Sequence, residues 1–284
     1  MHGVPDHFDQ APDRAAFRRP AGWPGVELYR AHIVHHHFAP HLHDGYGLGV
    51  VEAGAERFRY RGREHLAAAG AIVLMQPGEL HTGGPAAPGG WRYRMLYLDA
   101  PTLRAQLGDG APGDWVFERA VHEEPARARD LAATLARLWD AVDAGESLAA
   151  DAALADALAA LAPLTSRPTD RTAALPADAR PFASVVDALH ADLPRDWRLA
   201  ELAALAGLSP FHFQRAFQAA HGVSAHQWRM ALRLAEAKRL LARGEPPAAV
   251  AAAVGLADQA HLTRRFAGMY GITPARYQRG LRAA

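Results

Sequence analysis

Residues 199–217 read LAELAALAGLSPFHFQRAF, and residues 248–266 read AAVAAAVGLADQAHLTRRF. Each stretch has a short segment rich in Ala, Leu and Val, then a glycine, then Ser209 or Asp258, and then large apolar residues at helical spacing. Ser and Asp are preferred helix N-caps, and a glycine between two helices marks a tight turn. One such match is weak evidence. Here the pattern occurs twice, with Asp258 49 residues after Ser209, and two copies predict a pair of helix-turn-helix motifs.

The second helix of each predicted motif turns one face away from the core. If Phe213 and Phe217 are buried, a rotation of about 100° per residue leaves the opposite face to Phe211, Gln214, Arg215 and Gln218. With Leu262 and Phe266 as the second anchors, the corresponding face is Ala260, Thr263, Arg264 and Ala267, and Gln259 lies in the first turn. Arg and Gln can bond guanine and adenine in a bidentate manner, so we predict that these faces contact DNA bases. The alternative is that they are ordinary solvated faces of surface helices.

The segment between the motifs sets their separation. Residues 224–242 read as one helix, with Trp228, Leu232 and Leu240 toward a core. About 18 residues with a rise of about 1.5 Å each span about 27 Å, close to the roughly 34 Å between successive major-groove segments on one side of DNA. We therefore expect both motifs to engage one duplex, with some bending of the DNA.

Charge is distributed unevenly along the 284 residues, although the net charge is only +1. From Trp197 onward there are 12 Lys and Arg against 4 Asp and Glu, so the preceding part is acidic and only the basic end is expected to meet a polyanion. The absence of cysteine excludes disulfides and thiolate zinc sites. Since no segment reads as a secretory signal or a membrane helix, we expect a cytoplasmic protein with no membrane partner.

The N-terminal half reads as β-structure. Between residues 26 and 98, short runs rich in branched and aromatic residues, such as Tyr46–Glu52 and Glu56–Tyr60, are separated by turn signals such as Arg61-Gly62. Regularly spaced short strands of this kind indicate a sandwich or a small barrel. Four arginines alternate along one predicted hairpin and are interpreted as a solvated face; they are Arg57, Arg59, Arg61 and Arg63.

From about residue 125 the apolar period becomes helical, and a Pro-rich stretch precedes the C-terminal region. The predicted fold class is α+β with two domains, an N-terminal β-barrel with a helical pair and an all-α C-terminal domain. The predicted boundaries are an N-terminal arm at 1–24, the barrel at 25–125, the helical pair at 126–164, a linker at 165–181 and a DNA-binding domain at 182–284.

Residues 182–284 resemble the DNA-binding domain of the AraC/XylS family of bacterial transcription regulators. The resemblance is carried by Leu199–Phe217, Arg233–Leu241 and Ala248–Tyr277, and it departs from the family at Leu256, where an aromatic residue is usual. It implies promoter DNA as partner, contact with RNA polymerase, and base-facing positions for Arg215 and Arg264. The helical pair, Arg127–Val142 with Leu148–Leu164, resembles the family's dimerisation helices and implies a homodimer. The alternative is that these helices only cover the barrel.

The β region resembles, more loosely, the family's cupin-type sensor barrel through His41, His43, Gly70, Pro77-Gly78-Glu79 and His81. This resemblance implies a pocket for a small-molecule effector. The candidate lining residues are His41, His43, Tyr46, Glu79, His81, Trp91 and Tyr93. For Trp91 and Tyr93, the alternative is ordinary core packing.

The same histidines raise the question of a metal. His41, His43 and His81 are the residues that would hold one, because three imidazoles suffice for zinc or iron. Metal-binding cupins add a Glu four or five residues after the second histidine, where Gly47 and Leu48 stand here. We therefore expect no metal and no other cofactor. We favour a non-enzymatic regulator over the competing class, a metal-dependent cupin dioxygenase or isomerase with an appended helical domain.

Overall fold

The chain forms a β-rich N-terminal domain with a helical pair, followed by a helical C-terminal domain, which confirms the predicted fold class. The computed structural model describes residues 12–18, 20, 22–23, 25–107, 115–165, 180–270 and 273–282. Most of the predicted linker at 165–181 therefore lies outside the described residues. The strands are β1 (Arg14–Arg18), β2 (Val26–Ile33), β3 (Phe38–His41), β4 (Tyr46–Tyr60), β5 (Arg63–Ala68), β6 (Ala71–Met75), β7 (His81–Pro85), β8 (Trp91–Leu98) and β9 (Val121–Glu123), and helix α1 (Ala100–Leu107) follows β8.

Two sheets share the long strand β4. One sheet runs β1-β2-β8-β4-β6-β9, and in the other β3 pairs with β7, β7 with β4, and β4 with β5. Strand β4 continues through Gly54, which has a positive φ, and pairs in both sheets, so one strand replaces the two expected at Tyr46–Glu52 and Glu56–Tyr60. Among the described strands the pairing does not form a closed ring, and the expected barrel is an open one. Strand β1 lies within the segment predicted as an arm.

The alternation of β8 separates two cores. Tyr93, Met95 and Tyr97 pack inside the barrel, while Leu96 and Leu98 pack on the opposite face of the sheet against the helical pair. This is the period-two pattern of a strand that is buried on both sides.

The helical pair covers the outer face of the sheet that contains β8. Helix α2 (Pro125–Ala144) packs on β4, β6 and β8, ends at Gly145 with positive φ, and is followed by α3 (Ser147–Leu161), which packs on α2. By length and composition alone, Ser147–Leu164 is the one described helical segment apolar enough to cross a membrane. One face of α3 is buried in the domain core, where it packs on α2.

The C-terminal domain contains both predicted helix-turn-helix units and the single long helix between them. Its helices are α4 (Ala183–Ala191), α5 (Leu199–Leu205), α6 (Pro210–His221), α7 (Ala225–Ala242), α8 (Pro247–Ala253), α9 (Gln259–Tyr270) and α10 (Pro274–Arg282). The units α5–α6 and α8–α9 have identical helix lengths of 7 and 12 residues. Gly207 and Gly255, in the turns, both have positive φ, a conformation that glycine adopts without strain.

The two domains share hydrophobic packing. Leu42, directly after β3, and Leu80, directly before β7, are buried in the core of the C-terminal domain, and β3 contacts α7 and α9. Lys238 of α7, the single lysine of the chain, is buried near Tyr270, with its ammonium 4.5 Å from the ring centroid. The barrel and the DNA-binding domain therefore meet through one end of the barrel.

Candidate nucleic-acid interface and ligand cavity

Helix α6 presents the predicted face to solvent. The hydroxyl of Ser209 accepts a hydrogen bond from the backbone N–H of His212, which caps the helix, and Pro210 occupies the first turn. Phe213 and Phe217 are fully buried, so helical geometry leaves the opposite face outside. The four predicted residues of this face are all exposed: Phe211, Gln214, Arg215 and Gln218. The Arg215 guanidinium lies 5.6 Å from the centroid of the Phe211 ring.

Helix α9 repeats the arrangement with one difference. An Asp258 carboxylate oxygen accepts a hydrogen bond of 2.6 Å from the His261 backbone N–H, and Leu262 and Phe266 are fully buried. Gln259, Ala260 and Arg264 are exposed, whereas Thr263 is half-buried and its hydroxyl donates to the Gln259 carbonyl at 2.9 Å. Sequence reasoning did not single out Arg265, which is exposed beside Arg264 and donates to a His261 ring nitrogen. We refer to α6 and α9 as the reading helices.

Helix α7 holds the two reading helices on one rigid spacer. The helix begins at a capping box, in which Ser224 and Gln227 each accept a hydrogen bond from the other's backbone N–H. Its 18 residues, with a rise of about 1.5 Å each, span about 27 Å, as the sequence predicts. Arg233 is buried in α7 and donates to the carbonyls of Leu193 and Pro194 at 2.7 and 2.9 Å, which ties the spacer to the segment before α5. Burial lowers the pKa of Arg233 to about 10, so it stays charged at neutral pH.

The interior of the barrel contains a small cavity of about 30 Å³. Four of the predicted effector residues line it, and they are His41, His43, His81 and Tyr93. Glu56 also lines this cavity, although no spacing rule pointed to it. A volume of this size holds one or two water molecules, far less than the roughly 300–1,000 Å³ of a typical ligand pocket.

The other three predicted effector residues lie elsewhere. Tyr46 belongs to the core under the helical pair, where its ring meets Phe117 edge-on. Trp91 is buried and stacks on Tyr93 with ring centroids 5.5 Å apart, so it packs the barrel core behind the cavity wall. Glu79 lines a second cavity, of about 160 Å³, between the two domains.

Glu79 is held there by Arg61. The Arg61 guanidinium donates to both carboxylate oxygens of Glu79, at 2.6 and 2.8 Å, and to the carbonyl of Phe117 at 2.7 Å. Arg61 was expected on a solvated face, but it occupies the β4–β5 turn with φ 51° and its side chain is mostly buried. A positive φ is costly for any residue but glycine, and the bidentate ion pair offsets that cost.

The three cavity histidines are neutral at physiological pH. Burial lowers the pKa of His41 and of His43 well below the usual value, with the nearby His81 adding to the effect, and burial lowers the pKa of His81 to about 4. One ring nitrogen from each histidine lies within 4.8 Å of those of the other two. In the same cavity, burial raises the pKa of Glu56 to about 8. The cavity is therefore lined by three neutral imidazoles and by the Glu56 carboxyl, which keeps its proton near pH 7.

Two helix-turn-helix units on a rigid spacer, packed against a β-barrel with an internal cavity, define a DNA-binding regulator with a sensor domain. A profile described as an AraC-like ligand binding domain matches residues 24–163, and one described as a helix-turn-helix domain matches residues 202–280. The chain belongs to the AraC family of transcription regulators, which confirms the resemblance found in the sequence.

Known relatives agree with this assignment. The "uncharacterized HTH-type transcriptional regulator YbfI" of Bacillus subtilis is 24% identical over 244 residues, covering 84% of this chain and 86% of that protein. The crystal structure of ToxT from Vibrio cholerae O395 is similar in fold, with a TM-score of 0.51 and 12% identity over 94% of this chain and 99% of that chain. A second ToxT structure, with bound unsaturated fatty acid, has a TM-score of 0.50 and 13% identity over 89% of this chain and 94% of that one. The matched profiles and the name of the Bacillus relative belong to transcription regulators, which confirms the regulatory class over the cupin-enzyme alternative.

Proposed function

We propose that this chain controls transcription by inserting α6 and α9 into successive major-groove segments of promoter DNA. The observation that carries this proposal is the repeated placement of Arg215 and Arg264. Both are exposed, both lie opposite two fully buried anchors, and both stand on 12-residue helices with a side-chain N-cap. Arginine in this position offers the bidentate donor pair that reads guanine.

The effector would act through the N-terminal domain. His41, His43, His81 and Tyr93 line the barrel cavity, and Leu42 and Leu80 connect its histidine-bearing end to the DNA-binding core. A ligand that changes this end of the barrel would favour one arrangement of the two domains over another. By linkage, DNA would then change the affinity for the ligand by the same factor. The fatty acid seen on ToxT does not transfer to this chain, because 13% identity supports a common fold alone.

We also propose a cytoplasmic homodimer that contacts RNA polymerase. Helix α2 is the layer that packs directly on the sheet, which leaves one face of α3 outward. That outward face carries Leu148, 82% exposed, together with Ala152, Ala155 and Ala159, at the spacing of a helix–helix seam. Two chains joined there would present four reading helices, and binding of the second DNA-binding domain would benefit from a high effective concentration.

Selection of binding sites from random DNA with the full chain tests the proposal. We expect selected duplexes to contain two short recognition segments separated by about one helical turn, since both reading helices approach one side of DNA. Binding of selected and scrambled duplexes is then compared by fluorescence anisotropy at several salt concentrations. Specific binding should exceed scrambled-sequence binding by about 10³ or more at physiological salt. Equal affinity for both duplexes at every salt concentration would contradict a sequence-reading role.

A further inference from the structure

Four arginines of the N-terminal domain lie together on the outer face of one sheet. Strand β2 pairs with β1 on one side and with β8 on the other, and this register places Arg14 and Arg92 on either side of His32. It also places Arg30 opposite Arg94. Residues that are directly opposite, or two apart along a strand, have side chains on the same face. Since neighbouring strands lie about 4.8 Å apart, the Cα atoms of Arg14 and Arg92 are about 10 Å apart.

An open groove of about 380 Å³ runs across the sheet along these side chains. We call it the arginine groove, and its charged lining residues are Arg14, Arg30, Glu52, Arg92 and Arg94. Four arginines and one glutamate give the groove a net charge of +3, whereas the chain before Trp197 has 19 basic and 26 acidic residues. Positive charge is therefore concentrated here within an acidic part of the chain. A cleft lined by one sign of charge raises the local concentration of counter-ions.

The arginines differ in how far their charge is already balanced. Arg94 donates to a Glu52 carboxylate oxygen at 2.5 Å. Arg14 and Arg92 are exposed, and neither forms a hydrogen bond or ion pair with any residue that the structure describes. Arg30 packs on an aromatic ring, which leaves its charge unneutralised. Because like charges side by side on a sheet are destabilising, an anion bound between these three arginines would stabilise the domain.

We propose that the arginine groove binds one small soluble anion that carries two phosphoryl groups. The planar guanidinium of arginine donates to two phosphate oxygens at once, and Arg14 and Arg92 approach the groove from opposite sides. A phosphate monoester carries a charge of about −1.5 to −2 near pH 7, so two such groups balance the groove. The volume of the groove lies within the roughly 300–1,000 Å³ of small-molecule sites.

The extent of the groove favours a small anion over a nucleic acid. Duplex DNA presents a continuous line of phosphates, and a face that binds it contacts several of them along the strand. The arginines span only about 10 Å across three strands, which accommodates two phosphoryl groups. The groove therefore fits a compact diphosphate.

Arg30 connects the groove to helix α2. Its guanidinium lies 4.3 Å from the centroid of the Trp139 ring, and the Trp139 Nε1 atom donates to an Asp143 carboxylate oxygen at 3.0 Å. An anion that draws Arg30 toward Arg92 would change this contact on α2, which packs on α3. An effect of the anion on dimerisation follows from this contact and rests on the proposed function, whereas binding of the anion does not.

Calorimetric titration of the full chain with inorganic pyrophosphate, at constant ionic strength, tests the site. We expect one pyrophosphate per chain and a change in tryptophan fluorescence that Trp139→Phe removes. Arg14→Gln/Arg92→Gln should weaken binding by at least about tenfold, because hydrogen bonds between charged groups are lost. The same double variant should not lower the Tm of the ligand-free chain, since it removes like charges from one face of the sheet. A lower Tm would indicate that these arginines serve the fold.

Two control variants separate the groove from other basic surfaces. Arg57→Gln changes an exposed arginine of the same domain, paired with Glu64, and should bind pyrophosphate as the wild type does. Arg215→Gln/Arg264→Gln should also retain pyrophosphate binding, although it should lose specific DNA binding.

Affinity for a selected duplex is measured on the same proteins. No saturable pyrophosphate binding, equal weakening in the Arg57 variant, or binding lost only in the reading-helix variant would overturn the proposal. Loss of duplex affinity in the groove variant, without pyrophosphate binding in the wild type, would make the groove a DNA contact. Specific DNA binding without a pyrophosphate site removes the anion site and keeps the regulator, and pyrophosphate binding in the groove without specific DNA binding does the reverse.

Discussion

Gly62, in the turn between β4 and β5, lies directly against the backbone carbonyl oxygen of Ala220, in the last turn of reading helix α6. A Cβ built on Gly62 would overlap that oxygen, and φ of Gly62 is +74°. On the same hairpin, Arg59 lies against Gly222, which caps the helix. The β4–β5 hairpin, which carries Arg61, therefore contacts the C-terminal end of α6 and connects the barrel directly to the DNA-binding domain.

Replacing Gly62 with alanine should loosen this contact. Alanine in a left-handed conformation costs about 1–2 kcal/mol, and the clash with Ala220 adds to that cost. Gly78→Ala is the matched control, because Gly78 has φ +72° and no atom within 4 Å of its added Cβ. We expect Gly62→Ala to lower the free energy of unfolding more than Gly78→Ala and to speed amide hydrogen exchange in α6. Equal effects of the two changes would mean that the contact contributes nothing.

Removing either exposed arginine that is proposed to face bases, Arg215 or Arg264, should weaken specific DNA binding. Arg215→Ala and Arg264→Ala should each cost about 1–3 kcal/mol in affinity for a selected duplex and relax base preference at separate positions of the site. Arg137→Ala on α2, an exposed arginine paired with Asp156, controls for the loss of one positive charge. If both reading-helix variants bind like the Arg137 variant while still folded, these two residues do not read bases.

A charge on the outward face of α3 should separate the proposed dimer. Leu148→Asp places a carboxylate in an apolar seam and should yield a monomer by sedimentation, with DNA affinity at least about tenfold lower because the second engagement is lost. Leu66 on β5 is 52% exposed, and Leu66→Asp is the matched control. A Leu148 variant that sediments like the wild type would leave α2 and α3 as a cover for the sheet.

Relative to a Glu56→Gln variant, the wild-type chain should lose stability as pH rises toward 8. Burial raises the pKa of Glu56 to about 8 from its usual 4.5, so the folded chain keeps a proton that the unfolded chain releases. This contribution is fully present below pH 4.5 and is lost as pH rises through 8, with up to about 2 kcal/mol lost between pH 6.5 and 8. The cavity histidines are neutral in the folded chain but half protonated at pH 6.5 in the unfolded chain, so they make stability rise with pH up to about pH 7.5 in both proteins. Only the difference between the wild type and the Glu56 variant therefore reports on Glu56.

Urea unfolding of the wild type and the Glu56→Gln variant at several pH values measures this difference in slope. The variant should lack the loss of stability that Glu56 causes, because the amide does not titrate, whereas Glu64→Gln, at an exposed carboxylate on β5, should retain it. The same slope in the wild type and in the Glu56 variant would show that another group titrates in this window.

The DNA-binding half was readable from the sequence because its signals are local. Ser209 and Asp258 cap helices within three residues of themselves, the turn glycines need positive φ, and the buried anchors recur within one or two helical turns. The offset of 49 residues between the units is a property of the chain alone. These features determined the two motifs, the length of α7 and the exposed face of α6 without any knowledge of tertiary contacts.

The lining of the barrel cavity was decided by tertiary structure. Tyr46 and Tyr93 look equivalent in the sequence, but strand register sends Tyr46 under the helical pair and Tyr93 into the cavity. Glu56 reaches the same cavity because β4 continues past Gly54 into the second sheet.

Local sequence determined the reading helices, their caps and their spacing, since those depend on residues one or two helical turns apart. It named the three cavity histidines but not their common setting. His41 and His81 meet because β3 pairs with β7 across 40 residues of chain, and Arg61 leaves the solvated face because Glu79 lies within reach of its turn. Contacts between residues this far apart in the chain depend on strand pairing and domain packing, which no short-range sequence pattern encodes.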